Sequence, residues 1–208
     1  MIKISNEETY GWEETIRGMR NPMNSWNKID SKWDGFGEAH GYSLGENDLS
    51  LMKKLIKAGT DHSKFMRMIT VYVDITAPLY WWKEYDTYKV GTVANSCSTM
   101  HKIHAKEFEL KDFSWEDLTE RSLIILESVI DELNFNRDLY ITTKDKKYWK
   151  QMIQLLPTSY NQKRTVQLNY AVLRNMYHSR KNHKLDEWHT FCAWVETLPY
   201  AKELICDA

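Results

Sequence analysis

The sequence predicts an α+β fold in which a small β-sheet is accompanied by predominant α-helices. Apolar and polar residues alternate between Met66 and Ile75, which is typical of a β-strand. Several later segments instead repeat apolar residues at the spacing of an α-helix. Because one strand pattern is followed by a run of helix patterns, without regular alternation of the two, the predicted class is α+β.

The composition is that of an ordinary globular protein. The chain has 208 residues, of which 42% are hydrophobic and 27% charged, and we expect residues 1–208 to form a single domain. A net charge of −1 argues against binding of a nucleic-acid polymer, which requires excess positive charge. The sequence has no apolar run of transmembrane length and no signal-peptide pattern, so no membrane contact is expected. The few cysteines lack paired spacing, which favours a cytoplasmic protein (Cys97, Cys192, Cys206).

Aromatic residues are unusually frequent, with nine tryptophans and twelve tyrosines. They either fill the core or offer flat surfaces on which a ring-shaped ligand can stack. Residues 10–48 are rich in Trp, Gly and Asn and follow no regular period. This segment is expected to be a long ordered loop, which either covers a ligand as a lid or is a surface excursion held by its tryptophans.

The elements around the strand can be predicted one by one. Asn47 or Asp48 can cap a helix that ends at Gly59. The strand at 66–75 follows, and Pro78 suits the first turn of a helix over 79–85. The strand presents four apolar side chains on one face (Ile69, Val71, Val73, Ile75).

The second half of the chain predicts helices. Ser114 and Asp117 resemble a capping box before a helix over 118–133. Further helices are predicted over 144–156, 164–179 and 185–198, where prolines interrupt the first and the last (Pro157, Pro199).

The most informative polar residues lie in the last third of the chain. Asn169 and Arg180 are 11 residues apart, so they project from one face if a single helix contains both. Arginine presents planar donors suited to a carbonyl or a phosphate, and asparagine offers both a donor and an acceptor to a ring edge. By spacing alone, a solvated helix face is the more usual explanation for such residues.

The segment from Leu156-Pro157 to Trp188 resembles the C-terminal signature of the flavin-dependent thymidylate synthases. In that family a Leu-Pro precedes a helix with an Asn, an Arg lies near its end, and a His precedes a Gln-Trp-Glu-like triplet. Here Asn169 follows the proline by 12 positions and Arg180 by 23, with His183 and Glu187-Trp188 beyond them. A fainter similarity covers Lys57 to Phe65, including His62.

A second family motif corresponds to residues 87–100. The family sequence is Arg-His-Arg-x-x-Ser-x-Asn-Glu-x-Ser-x-Arg-Tyr, and an ungapped count from Pro78 places Thr87 to Met100 opposite it. Lys89 keeps one positive charge and Thr92 keeps a hydroxyl, while Cys97 stands where the family has a serine that binds phosphate. The other two arginines are absent, so the resemblance is to a divergent member; replacements for their charge could come from elsewhere (Lys102, Lys163, Arg164, Arg174).

The resemblance implies specific roles for these residues. Arg180 would be the catalytic residue that binds and polarises the pyrimidine of dUMP. The implied FAD-binding residues are His62, Thr87, Lys89, Asn169 and His183. The implied substrate-binding residues are Thr92, Ser96, Cys97, Ser98, Arg180 and Glu187.

The resemblance thus implies a protein that binds a dUMP-like nucleotide and FAD and methylates the base by flavin hydride transfer, as a homo-oligomer that is a tetramer in the family. The alternative is a non-catalytic nucleotide-binding protein that keeps the fold but has lost the flavin. A third hypothesis treats the tryptophan-rich surface as a site for another protein.

Metal and hydrolase sites are less well supported. Two groups have spacing that could bring metal ligands together, but neither contains a CxxC or HExxH motif, and no metal is expected (Cys97, His101, His104; His183, His189, Cys192). Asp61-His62-Ser63 lacks the glycine-flanked nucleophile of a hydrolase.

Overall fold

The computed structural model describes residues 2–207 and confirms the α+β class. Within these residues the strands are β1 (Lys3–Tyr10), β2 (Lys32–Gly37), β3 (Gly41–Ser43), β4 (Thr70–Pro78), β5 (Val93–Ser96) and β6 (Asn161–Asn169). The α-helices are α1 (Trp12–Arg20), α2 (Glu46–Lys57), α3 (Leu79–Tyr85), α4 (Glu120–Thr143), α5 (Lys146–Leu155), α6 (Tyr170–Arg180) and α7 (Asp186–Glu196). In the part of the chain that the structure describes, no helix is long and apolar enough to cross a bilayer.

Four strands form one sheet in the order β1-β4-β6-β5, and β2 and β3 form an antiparallel hairpin. The predicted alternation in β4 is confirmed: Ile69, Val71, Val73 and Ile75 are buried, whereas Tyr72 is 45% exposed. The strand itself begins at Thr70, after a 3-10 helix over Ser63–Arg67.

Strand β4 pairs with β6 in antiparallel orientation. At one end the amide of Tyr170 donates to the carbonyl of Ile69 over 3.1 Å, and at the other the amide of Leu79 donates to the carbonyl of Tyr160 over 3.0 Å. The end of each strand therefore lies opposite the start of the other.

The chain divides into two compact units. The first consists mainly of Ile75–Thr87 and Asn95–Arg164, and the second of Ile4–Asp74, Tyr88–Ala94 and the chain from Thr165 onward. The boundary therefore falls within β4 and within β6. The prediction of a single domain stays a prediction.

The first unit has its own apolar core, in which α4 packs against α5. Its fully buried members come from both helices and from the segment that precedes α4 (Ile103, Phe108, Phe113, Leu126, Ile130, Leu133, Met152). Helix α3 contributes a separate aromatic group in which Trp81, Trp82 and Tyr85 are buried and contact one another. Burial raises the pKa of the Tyr85 hydroxyl above its usual value.

The second unit contains a buried ion pair that joins α1 to α2. Arg20 and Asp48 are 4% and 0% exposed, and Nη2 of Arg20 lies 2.6 Å from Oδ1 of Asp48. The other carboxylate oxygen of Asp48 accepts hydrogen bonds from the amides of Asp30 and Ser31 and from the Ser31 hydroxyl. In return, the carboxylate of Asp30 accepts from the amides of Asn47 and Asp48 in the first turn of α2. Every oxygen of the buried Asp48 carboxylate therefore has a donor.

Several sequence-based predictions of secondary structure are wrong. Residues 161–169 form β6 instead of the start of a helix over 164–179, because Val166 and Leu168 are buried on alternate positions of an extended segment. Residues 10–48 contain α1, two short 3-10 helices and the β2–β3 hairpin, so they are not a long loop. A role for them as a lid stays a prediction.

Two predicted caps are also wrong. Asp48 lies inside α2, and the N-cap residue of that helix is Gly45. Helix α4 is capped by Thr119, which accepts from the amide of Ser122, and not by Ser114. The predicted helices over 79–85, 144–156 and 185–198 are confirmed as α3, α5 and α7 with ends shifted by a few residues.

Asp48→Asn is expected to destabilise the protein by about 3–5 kcal/mol, because it leaves the buried guanidinium of Arg20 without a counter-charge. The free energy of unfolding, measured by urea denaturation at neutral pH, tests this. Asp138→Asn is the matched control, since Asp138 pairs with Arg137 at 2.8 Å but is 71% exposed. Its effect should stay within about 1 kcal/mol.

The loss in free energy of unfolding caused by Asp48→Asn should also depend on pH. Burial opposes ionisation of Asp48, but hydrogen bonds from Ser31, the Asp30 amide and Arg20 outweigh it, so the pKa of the carboxyl lies below its usual range. A carboxylate with a lowered pKa stabilises the fold above its unfolded pKa of about 3.9 and loses that contribution as the pH falls through the folded pKa. The difference between Asp48→Asn and the unaltered protein should therefore narrow below about pH 4; a difference that stays constant down to strong acid would contradict this account.

Candidate functional site

Most of the predicted site residues lie in the second unit, around residues 88–94, which we call the 88–94 loop. Arg180, the last residue of α6, holds one end of this loop: its Nε donates to the hydroxyl of Tyr88 over 2.9 Å. The guanidinium carbon also lies 4.9 Å from the ring centre of Trp188 and 5.5 Å from that of Tyr88. The guanidinium therefore lies against two neighbouring aromatic rings, at distances typical of cation–π contact.

Trp188 is fixed by the packing of α7. It is fully buried in the first turn of that helix, next to Phe191 at a ring-centre distance of 5.5 Å. The ring of Tyr88 meets it edge-on at 6.3 Å, and the ring of His183 does so at the same distance. The aromatic support for Arg180 is thus part of the core of the second unit.

Asn169 holds the middle of the 88–94 loop. Its side-chain oxygen accepts from the amide of Val172 and caps the N-terminus of α6, while its side-chain nitrogen donates to the carbonyl of Gly91 over 3.4 Å. Gly91 has a φ of 83°, and a Cβ there would lie 3.1 Å from both Asn169 and Val172. Only glycine combines this backbone conformation with so close an approach to α6.

The position of Asn169 corrects the argument from spacing. Asn169 is the residue between β6 and α6, in extended conformation, so it does not share a helix face with Arg180. The two residues instead lie at opposite ends of α6, and each contacts the 88–94 loop.

Within the loop, the hydroxyl of Thr92 donates to the carbonyl of Tyr88 over 2.9 Å and so closes a tight turn. Lys89 is exposed on this turn. It is the only cationic residue in the sequence between positions 87 and 98.

Three further predicted residues belong to the second unit. His183 is half-buried, and its Nδ1 accepts from the amide of Leu185 over 3.2 Å. Glu187 is half-buried in the first turn of α7, where an acidic side chain is favoured by the helix dipole. His62 is exposed and immediately precedes the 3-10 helix over Ser63–Arg67, which packs on α6.

The remaining predicted residues belong to the first unit. The Thr87 hydroxyl donates to the carbonyl of Glu84 at the end of α3, over 2.7 Å. Ser96 is the exposed last residue of β5, and the Cys97 side chain is exposed while its backbone pairs with Lys163 and Gln162. The Ser98 hydroxyl accepts from the amides of Met100 and His101. Their roles in ligand binding stay predictions.

Arg164, one of the residues that could replace the missing arginines, has other partners in the first unit. Its Nη1 lies 2.8 Å from the carboxylate of Asp86, and its guanidinium carbon lies 4.2 Å from the ring centre of Trp82. Its charge is therefore already neutralised by Asp86.

Sequence reasoning did not identify Tyr88 or Gly91 as site residues. Tyr88 lies 92 positions before Arg180, and no local period can predict a contact over that separation. The available signal was the family motif, in which a histidine stands at the position of Tyr88. Among residues 2–207, no three His, Cys, Asp or Glu side chains are placed to bind a metal.

Comparison with known proteins identifies the fold. No protein-family model matches the sequence, and neither does any curated protein at a significant level. A solved structure of thymidylate synthase X from Helicobacter pylori, with FAD and dUMP, matches with a TM-score of 0.70 and 17% identity, over 100% of this chain and 98% of that one. A second structure of the Helicobacter pylori enzyme, also with FAD and dUMP, matches with a TM-score of 0.71 and 16% identity, over 99% and 98%. The chain therefore has the fold of a flavin-dependent thymidylate synthase, in a strongly diverged sequence.

Proposed function

We propose that this protein binds a pyrimidine nucleotide of the dUMP class and, with FAD, methylates its base. The observation that carries the proposal is that Arg180 and Asn169, the residues expected to contact base and flavin, both hold the 88–94 loop. It is supported by full-length similarity in fold to proteins solved with FAD and dUMP.

Arg180 suits the recognition of a pyrimidine carbonyl. A guanidinium has five N–H donors in one plane and stays protonated at any physiological pH. Trp188, which is fully buried, lowers the local dielectric beneath it. A fixed positive charge next to a carbonyl oxygen stabilises negative charge that develops on the base during reaction, which is the role of a polarising catalytic residue.

We propose that the nucleotide phosphate binds at the 88–94 loop. Lys89 provides the positive charge and Thr92 a hydroxyl, as the family motif implies. Roles for Ser96, Cys97 and Ser98, which belong to the first unit, stay predictions. A hydrogen bond to a charged group contributes about 1.5–3 kcal/mol, so a single lysine can hold a monophosphate only with further donors.

In the second unit, the residues that would hold the flavin are Asn169, His62, His183 and Lys89. A role for Thr87, in the first unit, stays a prediction. When bound, reduced flavin would supply the hydride for the methyl group, while the protein binds and orients the base. The neutral donors of this set suit a flavin ring, whose edge carries both donors and acceptors. Its single cation, Lys89, suits the two phosphates of FAD less well. A homo-oligomer stays a prediction from the resemblance.

A nucleotide-binding protein without flavin is the second candidate. Two arginines of the family motif are replaced by Thr87 and Thr99 in the ungapped count, and Arg164 is paired with Asp86. The charge that remains suits one phosphate better than two, which favours a nucleotide monophosphate as the sole ligand.

Arg180→Ala is expected to weaken dUMP binding about 10- to 100-fold, because it removes charged hydrogen bonds to the base. Isothermal titration of dUMP into the purified full-length protein measures this change. Arg121→Ala, at an exposed arginine of α4 in the first unit, is the control and should leave the affinity unchanged. An Arg180→Ala protein that binds dUMP as tightly as the unaltered protein would rule out the proposed role of Arg180.

The absorbance spectrum of the purified protein in the visible region, with and without added FAD, separates the two candidates. A bound-flavin spectrum that changes on addition of dUMP is expected if the protein is a flavin-dependent methylating enzyme. A colourless protein whose unfolding temperature rises with dUMP but not with FAD would instead favour the second candidate, since a ligand stabilises the state that it binds. If neither ligand changes the spectrum or the unfolding temperature, both candidates fail.

A further inference from the structure

Tyr88 is one of the residues of the second unit at which this chain differs from the family motif. The motif has histidine at this position, whereas here a tyrosine hydroxyl accepts a hydrogen bond from Arg180. We infer that Tyr88 is a positioning residue, which orients the guanidinium of Arg180 toward the carbonyl edge of a pyrimidine base. The inference rests on the proposed function and adds a residue to which the family motif gives no such role.

The contacts of Arg180 fix its guanidinium in two ways. The guanidinium carbon lies over the ring of Trp188, at 4.9 Å from the ring centre, which limits where the group can lie. The 2.9 Å hydrogen bond from Nε to the Tyr88 hydroxyl limits its rotation. A guanidinium held at both points has fewer orientations open to its Nη edge, which is opposite to Nε.

Tyr88 is itself held independently of Arg180. Its carbonyl accepts from the Thr92 hydroxyl over 2.9 Å, and Asn169 holds Gly91 three residues further on. Its ring meets the buried Trp188 edge-on, at an interplanar angle of 68°. The phenol oxygen is thus a fixed point against which the long arginine side chain is oriented.

Such fixation matters because arginine has many rotamers when unrestrained. Ordering a free arginine on a ligand costs conformational entropy, and this cost is smaller when the side chain is already held in its bound orientation. Tyr88 therefore raises affinity for the base without touching the nucleotide. A phenol also accepts a hydrogen bond throughout the pH range in which an imidazole changes charge.

The first test is a double-mutant cycle on dUMP affinity. Tyr88→Phe keeps the ring but removes the acceptor, and should weaken binding about 3- to 10-fold. In an Arg180→Ala background the same substitution should change affinity less than about 2-fold, because there is no longer an arginine to orient. Tyr72→Phe, at an exposed tyrosine of β4, is the matched control and should have no effect.

Two outcomes of the cycle overturn the inference. One is a Tyr88→Phe protein that binds dUMP as tightly as the unaltered protein. The other is an equal loss in both backgrounds, which would mean that Tyr88 acts through the fold of the loop alone. In either case dUMP binding by the unaltered protein leaves the proposed function standing.

Tyr88→His should make the affinity for dUMP depend on pH, which a purely structural role of Tyr88 would not do. A neutral imidazole can accept from Nε of Arg180, whereas a protonated one cannot and also repels the guanidinium. The affinity of this variant relative to the unaltered protein should therefore fall as the pH drops through about 6.5. Dividing the affinity of Tyr88→His by that of the unaltered protein at each pH removes the effect of titration of the dUMP phosphate, which is common to both. A ratio that is constant with pH would overturn the inference.

The side-chain Nε–H signal of Arg180 in a ¹⁵N–¹H NMR spectrum tests the positioning without any ligand. Arg180→Lys identifies the signal by its loss. We expect it to shift and to exchange faster with water in Tyr88→Phe, and to stay unchanged in Tyr72→Phe. If the unaltered protein binds no dUMP, the proposed function fails, and this signal still decides whether Tyr88 orients Arg180.

Discussion

The antiparallel pairing of β4 with β6 is the constraint on which the candidate site depends. Side chains of a strand alternate between faces, so a shift of one residue would move the buried Val71 and Val73 of β4 to the opposite face. The register is thereby fixed, with the amide of Tyr170 bonded to the carbonyl of Ile69. Asn169 must then fall at the junction where β6 ends and α6 begins, which is why its side chain both caps the helix and reaches Gly91. The length of α6 in turn places Arg180 at the far end of the helix.

The tryptophans of this chain have different structural roles. Trp12, Trp81 and Trp82 are buried core residues, as the simpler of the two interpretations of the composition holds. Trp188 is equally buried, yet one face of its ring lies against the guanidinium of Arg180. A core residue can therefore also support Arg180, because an arginine over an indole ring gains electrostatic attraction. Trp33 is 61% exposed and packs on Tyr42 only at its edge, so it belongs to neither group.

The secondary-structure elements that could be predicted from the sequence are those with a clear local period. Strand β4 and helices α3, α5 and α7 carry a clear apolar period or a proline boundary, and these predictions are confirmed. The helix predicted over 164–179 begins too early because only Val166 and Leu168 show apolar alternation in β6, and the earlier residues on the same face are polar (Gln162, Arg164). The ion pair of Arg20 with Asp48 and the contact of Tyr88 with Arg180 join residues 28 and 92 positions apart, and such contacts are set by tertiary packing rather than by any pattern along the chain. Family resemblance brought Asn169 and Arg180 to attention, but only the structure connects them through a shared loop.

The 88–94 loop carries less positive charge than the family motif that it resembles. A motif with three arginines holds its ligand through charge, which water and salt screen wherever the site is open. This chain has one cation there, Lys89, and Arg180 lies against the rings of Tyr88 and Trp188. If a nucleotide binds as proposed, more of its affinity comes from one oriented guanidinium near an aromatic core and less from exposed charges on its phosphates. Binding of the nucleotide should then depend less on salt and more on the shape and carbonyl pattern of the base.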